Sequence, residues 1–207
     1  MNAHRGLGIS AAVEGIVDEA VLRRIVEDQG ATLSRVYGKT GKGDVLRRLG
    51  AYNHAARFSP WIVVLDLDND GECAPPYRLG ILQAPSNLMC LRIAVREVET
   101  WLLADRQRIA RFLSIPVSRL PQNPESIANP KQTMVNLARQ SRRRAIREDM
   151  VPRPGGGREV GPAYTSQLIE FVQTVWHPGA ATLRSESLRR CRGSLQELIR
   201  RATLEAN

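Results

Sequence analysis

Short apolar runs alternate with amphipathic stretches through the first half of the chain, the pattern of βαβ units built around a parallel sheet. Residues 7–13 (LGISAAV) predict a first strand. In residues 18–28 (DEAVLRRIVED), Val21, Leu22, Ile25 and Val26 recur at helical spacing, and the acidic first turn suits the helix dipole. Residues 31–37 predict a second strand. The loop 38–43 (GKTGKG) then leads to Asp44, a residue type suited to cap a helix running to about residue 57. Residues 61–65 (WIVVL) give the clearest buried strand, which passes directly into Asp66-Leu67-Asp68-Asn69-Asp70-Gly71. A Pro-containing loop at 74–76 precedes a fourth strand over 88–95 (LMCLRIAV) and a helix over 96–105 (REVETWLLAD).

The loop 116–130 carries four prolines and little periodicity, and beyond it the pattern becomes helical: 131–147, 165–176 and 185–204. The connector 152–162 (PRPGGGREVGP) is rich in Gly and Pro, a composition for a segment that is mobile or ordered by a ligand. The expected organisation is an α/β domain over 1–115 and a basic, mostly helical extension over 116–207 packed on it.

Composition fits a globular chain: of 207 residues, 43% are hydrophobic and 25% charged. Cys73, Cys90 and Cys191 share no CxxC or CxxH spacing, which argues against a disulfide scaffold or a structural zinc site. No apolar stretch approaches the roughly 20 residues that a bilayer requires, and the N-terminus lacks the basic-then-apolar order of a secretion signal. A soluble cytoplasmic protein without a membrane partner is the expectation. The formal net charge is +9, and residues 131–207 carry 14 basic against 7 acidic residues. Such a surface suits a polyanion through counterion release, although an arginine-rich solvated face accounts equally for charge alone.

The carboxylates carry more information, because they fall at the carboxyl ends of predicted strands, where open α/β sheets bind ligands. Glu14-Gly15 ends the first strand; Asp66, Asp68 and Asp70 follow the third. In extended geometry alternate residues point the same way, so Asp66 and Asp68 are expected to converge on one divalent cation. Hard oxygen ligands favour Mg²⁺ or Mn²⁺ over zinc. An ordinary strand-to-loop transition rich in Asp, Asn and Gly is the plain alternative.

Val13-Glu14-Gly15 followed by Asp18-Glu19-Ala20-Val21-Leu22, with Leu65-Asp66-Leu67-Asp68 later, resembles the TOPRIM domain of topoisomerases, primases and overcoming-lysogenization-defect nucleases. The resemblance covers roughly residues 7–105. A narrower likeness, in RIAVREVETWLLAD, NPKQTMVNLAR and REVGPAYTSQLIEFV, is to domain-of-unknown-function family 4276, many of whose members are thought to lie beside ATPases in antiphage defence loci. The fold implied is a TOPRIM or Rossmann-like parallel sheet flanked by helices. The activity implied is Mg²⁺- or Mn²⁺-dependent cleavage of DNA or RNA. Asp66 and Asp68 would hold metal, Glu14 would act as ligand or general acid/base, and Asp18 or Glu19 stands where the nucleases place a further ligand. The acidic run extends to Asp70, which leaves the register of a second metal open.

Further candidates lie outside that core. Glu97 and Glu99 diverge on a helix, so only one can face the cluster; Glu97 suits the helix dipole, and the resemblance tips Glu99 toward the metal. Lys131 opens a helix where its charge opposes the dipole; a cation there could stabilise charge developing on a scissile phosphate, with a solvated surface lysine the alternative. Arg142, Arg143, Arg144, Arg147 and Arg158 are candidate phosphate contacts, with a solvated helix end the alternative. Lys39 and Lys42 lie in a loop whose spacing is wrong for GxxxxGK[ST], and which is read as a flexible hairpin or a loop contacting nucleic-acid substrate. His4, His54 and His177 share no spacing that would support a triad or a zinc protease. Trp61, Trp101 and Trp176 are read as core, as is Tyr164. The expectation is therefore a metal-dependent nuclease acting in antiphage defence, with nucleic acid and an ATPase as partners and a homodimer left open. A non-catalytic module binding nucleic acid or the ATPase is the competing class, and another metal-dependent phosphotransfer a third.

Overall fold

The computed structural model describes residues 7–206; His4 lies outside them. Contacts divide the chain into two compact units, residues 1–94 with 189–207, and residues 95–188. The boundary differs from the one expected after residue 115. Its physical reason is helix 98–104, read as the element that follows the last strand of the sheet domain. All seven of its residues are buried, and it packs among the helices of the second unit.

The first unit is an α/β fold whose sheet has four parallel strands: β1 (Gly8–Val13), β2 (Thr32–Gly38), β3 (Trp61–Asp66) and β4 (Met89–Ala94), in the order β2-β1-β3-β4. Helices α1 (Ile16–Glu27), α2 (Lys42–Ala55) and α3 (Ala74–Ile81) make the crossovers. The near-continuous apolar runs of β1 and β3 reflect burial on both faces: Ile9, Ala11, Ala12, Val13, Ile62, Val63 and Leu65 are fully buried. On α1 the predicted stripe, Val21, Leu22, Ile25 and Val26, is the buried face. Tyr37, Tyr52 and Trp61 form a three-ring cluster, with ring centroids 5.1 to 6.0 Å apart. The segment 74–76, expected to be loop, opens α3 with its prolines in the first turn, where a missing N–H removes no helical bond.

The second unit is helical: α4 (Val98–Ala104), α5 (Arg106–Leu113), α6 (Pro130–Arg139), α7 (Arg144–Met150), α8 (Tyr164–Thr174) and α9 (Pro178–Ala181), with the start of α10 (Glu186–Glu205). Trp101, Phe171 and Trp176 are fully buried. Trp101 Nε1 donates to Ser187 Oγ at 2.7 Å, and Glu125 Oε1 accepts from the Ser187 N–H and the Ser185 and Ser187 hydroxyls. The helix expected over 131–147 is broken into α6 and α7. The rest of α10, expected in the helical extension, belongs to the first unit. It is tied there by Arg192 to Asp28 at 2.6 Å and by Arg201 to the Asn87 carbonyl. Among the described residues no helix is long and apolar enough to cross a membrane.

One backbone position controls how the β2–α2 loop meets the sheet. Gly38 has φ +82°, and a Cβ there would sit 2.2 Å from the Val13 carbonyl oxygen and 2.9 Å from Val45 Cγ2. Lys39 N–H then donates to that same Val13 oxygen at 2.9 Å, and Gly41 N–H to the Glu14 oxygen at 3.0 Å. Gly38→Ala should therefore cost roughly 2 kcal/mol or more, the sum of left-handed strain and a clash with backbone. A fall in urea midpoint at unchanged slope would show it; a midpoint within error of the parent would refute it.

Candidate functional site at the carboxyl edge of the sheet

In this strand order the chain leaves β1 toward β2 on one side and crosses to β3 on the other, so the crevice between the carboxyl ends of β1 and β3 is the topological switch point. Glu14 follows β1 and Asp66 ends β3. The two meet: the Asp66 N–H donates to Glu14 Oε1 at 2.7 Å. Burial outweighs that bond and the pull of Lys42, and with Asp18 and Asp68 adding negative charge it lifts the Glu14 carboxyl from its ordinary 4.5 to about 7. Asp18, in the first turn of α1, is buried, and its Oδ2 lies against Gly15, 2.9 Å from where a Cβ would stand.

Asp68 joins the group by a route the strand pattern does not contain. The strand ends at Asp66, Leu67 N–H makes one further bond to the Ala94 carbonyl at 2.8 Å, and Asp68 then turns in the left-handed region at φ 47°. A turn closed by Asp70 N–H on the Leu67 carbonyl, rather than strand alternation, brings Asp68 beside Asp70. Both carboxylates accept from Lys42, at 2.5 and 2.7 Å. Burial alone would lower the Lys42 pKa, but the bonds to Asp68 and Asp70 and the charge of Glu14 outweigh it and hold the ammonium well above the usual lysine range. Tyr77 of α3 adds its hydroxyl to Asp70 at 3.4 Å.

Lys42, expected as a contact for substrate, is the internal counter-ion of the acidic turn. Lys39 likewise pairs with Glu19 at 3.1 Å, which also takes Arg23 at 3.0 Å. Although burial pulls the other way, these two partners hold the Glu19 carboxyl below the usual range. Among the described residues no group of three or more His, Cys, Asp or Glu side chains is arranged to hold a metal ion. The oxygens gathered at this edge are carboxylate, the donor type that hard cations take, and those of Asp68 and Asp70 are held by the Lys42 ammonium. A cation on Asp68 and Asp70 has to take the place of the Lys42 ammonium.

In the second unit, Glu97 caps the start of α6, its Oε2 accepting the Lys131 N–H at 3.0 Å while Lys131 Nζ stands 3.9 Å from Oε1. That bond is a role for Glu97 that helix spacing could not reveal, since the partner is 34 residues away. Glu99 is buried and accepts from the Tyr164 hydroxyl at 3.2 Å. Burial, followed by the Glu99 charge, drives the Tyr164 hydroxyl far above the usual tyrosine range. Tyr164 is thus core, as expected. Arg142 and Arg143 are exposed and line a hollow of about 490 Å³ with Ser114, Ile115 and Pro116. Arg144 pairs with Glu148 at 2.7 Å, and Arg147 donates to the Ser141 carbonyl at 2.5 Å, so both are partly engaged within the fold. Arg158 is exposed in the Gly-rich connector. In comparisons with protein-family models, curated proteins and solved structures, nothing matches this chain.

The raised Glu14 carboxyl predicts a pH dependence of stability. Between about 4.5 and 7 the folded chain keeps a proton that the unfolded chain releases. The resulting stabilisation is complete below that window and is lost as pH rises through it. Unfolding midpoints of the parent and of Glu14→Gln, followed from pH 4.5 to 8, should converge or cross as pH rises, the parent losing more. Parallel profiles would show that Glu14 titrates normally.

Proposed function

We propose that the carboxyl edge of the sheet is the active site of a TOPRIM-like, Mg²⁺- or Mn²⁺-dependent nuclease acting on DNA or RNA. The observation that carries this reading is the meeting of Glu14 and Asp66 at the switch point, with Glu14 poised near 7 and Asp68 beside it. Asp66, Asp68 and Asp70 would hold the ion, which supplies Lewis acidity, lowering the pKa of a bound water and offsetting charge on the departing oxygen. Glu14 has the proton affinity suited to taking a proton from a nucleophile, or returning one to a leaving group, at neutral pH. Lys42, at the start of α2 and paired with the acidic turn, would supply a positive charge beside the place where a phosphate would carry developing negative charge. Arg142 and Arg143 offer exposed guanidiniums for the phosphate backbone. Lys131 and Glu99 enter no step here. The wider role, an effector of antiphage defence beside an ATPase partner, rests on the sequence resemblance alone.

A second reading has one observation in its favour. Lys42 already neutralises Asp68 and Asp70, as an acidic turn of a purely binding module would require.

Purified chain incubated with plasmid DNA or total tRNA, in Mg²⁺, Mn²⁺ or EDTA, separates the two. Cleavage that needs metal and falls by about a hundredfold or more in Asp68→Ala, with nucleic-acid affinity within a few-fold, is the expected result. Cleavage that survives in Asp68→Ala overturns the assignment, and metal-independent binding without cleavage favours the binding module. Replacing Arg142, Arg143 and Arg144 together by Gln should weaken binding and flatten its dependence on salt; an unchanged slope would remove them from the interface.

A further inference from the structure

The hollow lined by Arg142 and Arg143 in the second unit is built by two segments that are bonded to each other. One is the turn that ends α5: Ile115 N–H returns to the Ala110 carbonyl at 3.0 Å across Ser114, which stands at φ 53°. Glycine is the usual residue at such a left-handed helix end, because a Cβ crowds the backbone there. A serine occupies it here, and lines the hollow with Ile115 and Pro116. The other segment is the link between α6 and α7, which carries the two arginines. Arg142 N–H donates to the Ser114 carbonyl at 3.4 Å, and the Arg143 guanidinium to the Phe112 carbonyl at 3.5 Å, so the walls are joined without any ligand.

The lining sorts into two kinds of surface. Arg144 is neutralised by Glu148 at 2.7 Å, whereas among the described residues neither Arg142 nor Arg143 forms an ion pair. Two exposed guanidiniums without carboxylate partners suit an anion with several oxygens, and phosphate is such an anion. Ile115, only 7% exposed, and the exposed Pro116 add an apolar surface against which a flat ring can rest. The volume of about 490 Å³ lies within the roughly 300–1,000 Å³ of small-molecule sites, and inorganic phosphate alone would leave most of it empty.

We propose that this hollow binds one nucleotide, its phosphate held by Arg142 and Arg143 and its base set against Ile115 and Pro116, with the Ser114 hydroxyl a hydrogen-bonding group for the sugar or the base edge. A free nucleotide and the 5′ end of a nucleic-acid strand present that same chemistry. The inference rests on the reading of these two arginines as phosphate contacts and deepens it, but it uses no residue of the carboxylate cluster.

The test is a magnetic-resonance titration of the full chain, isotope-labelled and free of divalent cations, with adenosine monophosphate, adenosine, inorganic phosphate and a 5′-phosphorylated adenosine trinucleotide. Expected are saturable shifts of the Ser114, Ile115, Arg142 and Arg143 amides, and affinity for the monophosphate higher by about tenfold or more than for adenosine or phosphate. Tighter binding of the trinucleotide supports the hollow as a seat for a strand end, and equal binding supports it as a seat for a free nucleotide. Arg142→Gln with Arg143→Gln should weaken binding of the monophosphate by about tenfold or more. Ser114→Gly removes the hydroxyl together with the left-handed strain; it should weaken binding by about threefold or more while the urea midpoint falls no lower than the parent's. No binding at millimolar nucleotide, shifts confined to other residues, adenosine or phosphate bound as tightly as the monophosphate, or affinity unchanged in both variants would overturn the proposal. Nucleotide binding without cleavage in any metal would defeat the nuclease reading and leave the hollow standing; cleavage without nucleotide binding would do the reverse.

Discussion

Carboxylates gathered at one edge of a sheet repel one another, and the loops of the first unit are arranged around that repulsion. Two like charges about 4 Å apart near a protein surface cost on the order of 4 kcal/mol, a large fraction of the stability of a domain this size. The fold answers in three ways. Asp68 and Asp70 share the Lys42 ammonium, Glu19 is held by Lys39 and Arg23, and Glu14 retains its proton to about pH 7. Both lysines come from the β2–α2 loop, so the left-handed turn at Gly38 that docks this loop over β1 is a precondition for the electrostatics of the whole edge.

The sheet was largely legible because its signals are local. WIVVL is buried on both faces, and the stripe from Val21 to Val26 has the period of a helix resting on a sheet. The Glu14–Asp66 meeting was legible too, since parallel strands joined by crossovers bring successive carboxyl ends to one edge. What escaped was set by tertiary geometry. Strand alternation placed Asp66 and Asp68 on one face, whereas the left-handed turn at Asp68 groups it with Asp70. The prolines of α3 resemble a loop, yet at the first turn of a helix they are favourable, and with them Tyr77 went unnoticed. The assignments of α4 and of residues 189–207 to their units depend on contacts more than 60 residues apart, such as Glu99 with Tyr164 and Asp28 with Arg192, which no window of sequence contains.

The lysine that relieves the repulsion also constrains the chemistry proposed for the edge. Lys42 and a divalent ion compete for the same oxygens of Asp68 and Asp70, and an ammonium ion carries half the charge of the ion that would displace it. Dication binding at this turn is thereby weakened, but the displaced ammonium remains beside the cluster on the short tether of α2. A polyanion brings the negative charge that such an ammonium can join. Were the proposed cation and phosphate both to bind, they would be coupled: each would lower the cost of the other's arrival, because the lysine would pass from carboxylates to phosphate as the cation took its place.

Parallel topology produces this acidic edge and an unpaired outer strand from one cause. Crossovers that keep all strands parallel bring their carboxyl ends to one edge, where Glu14 and Asp66 meet, and they also leave the last strand with one side unpaired. An unpaired edge invites pairing with another strand unless the edge is covered or charged. On β4 it is covered: Met89, Cys90, Leu91 and Ile93 are no more than 5% exposed, and Arg78, Arg92 and Arg201 line a groove beside the strand. One topology therefore sets two demands that are met separately, the carboxyl edge by Lys39 and Lys42 and the outer strand by burial.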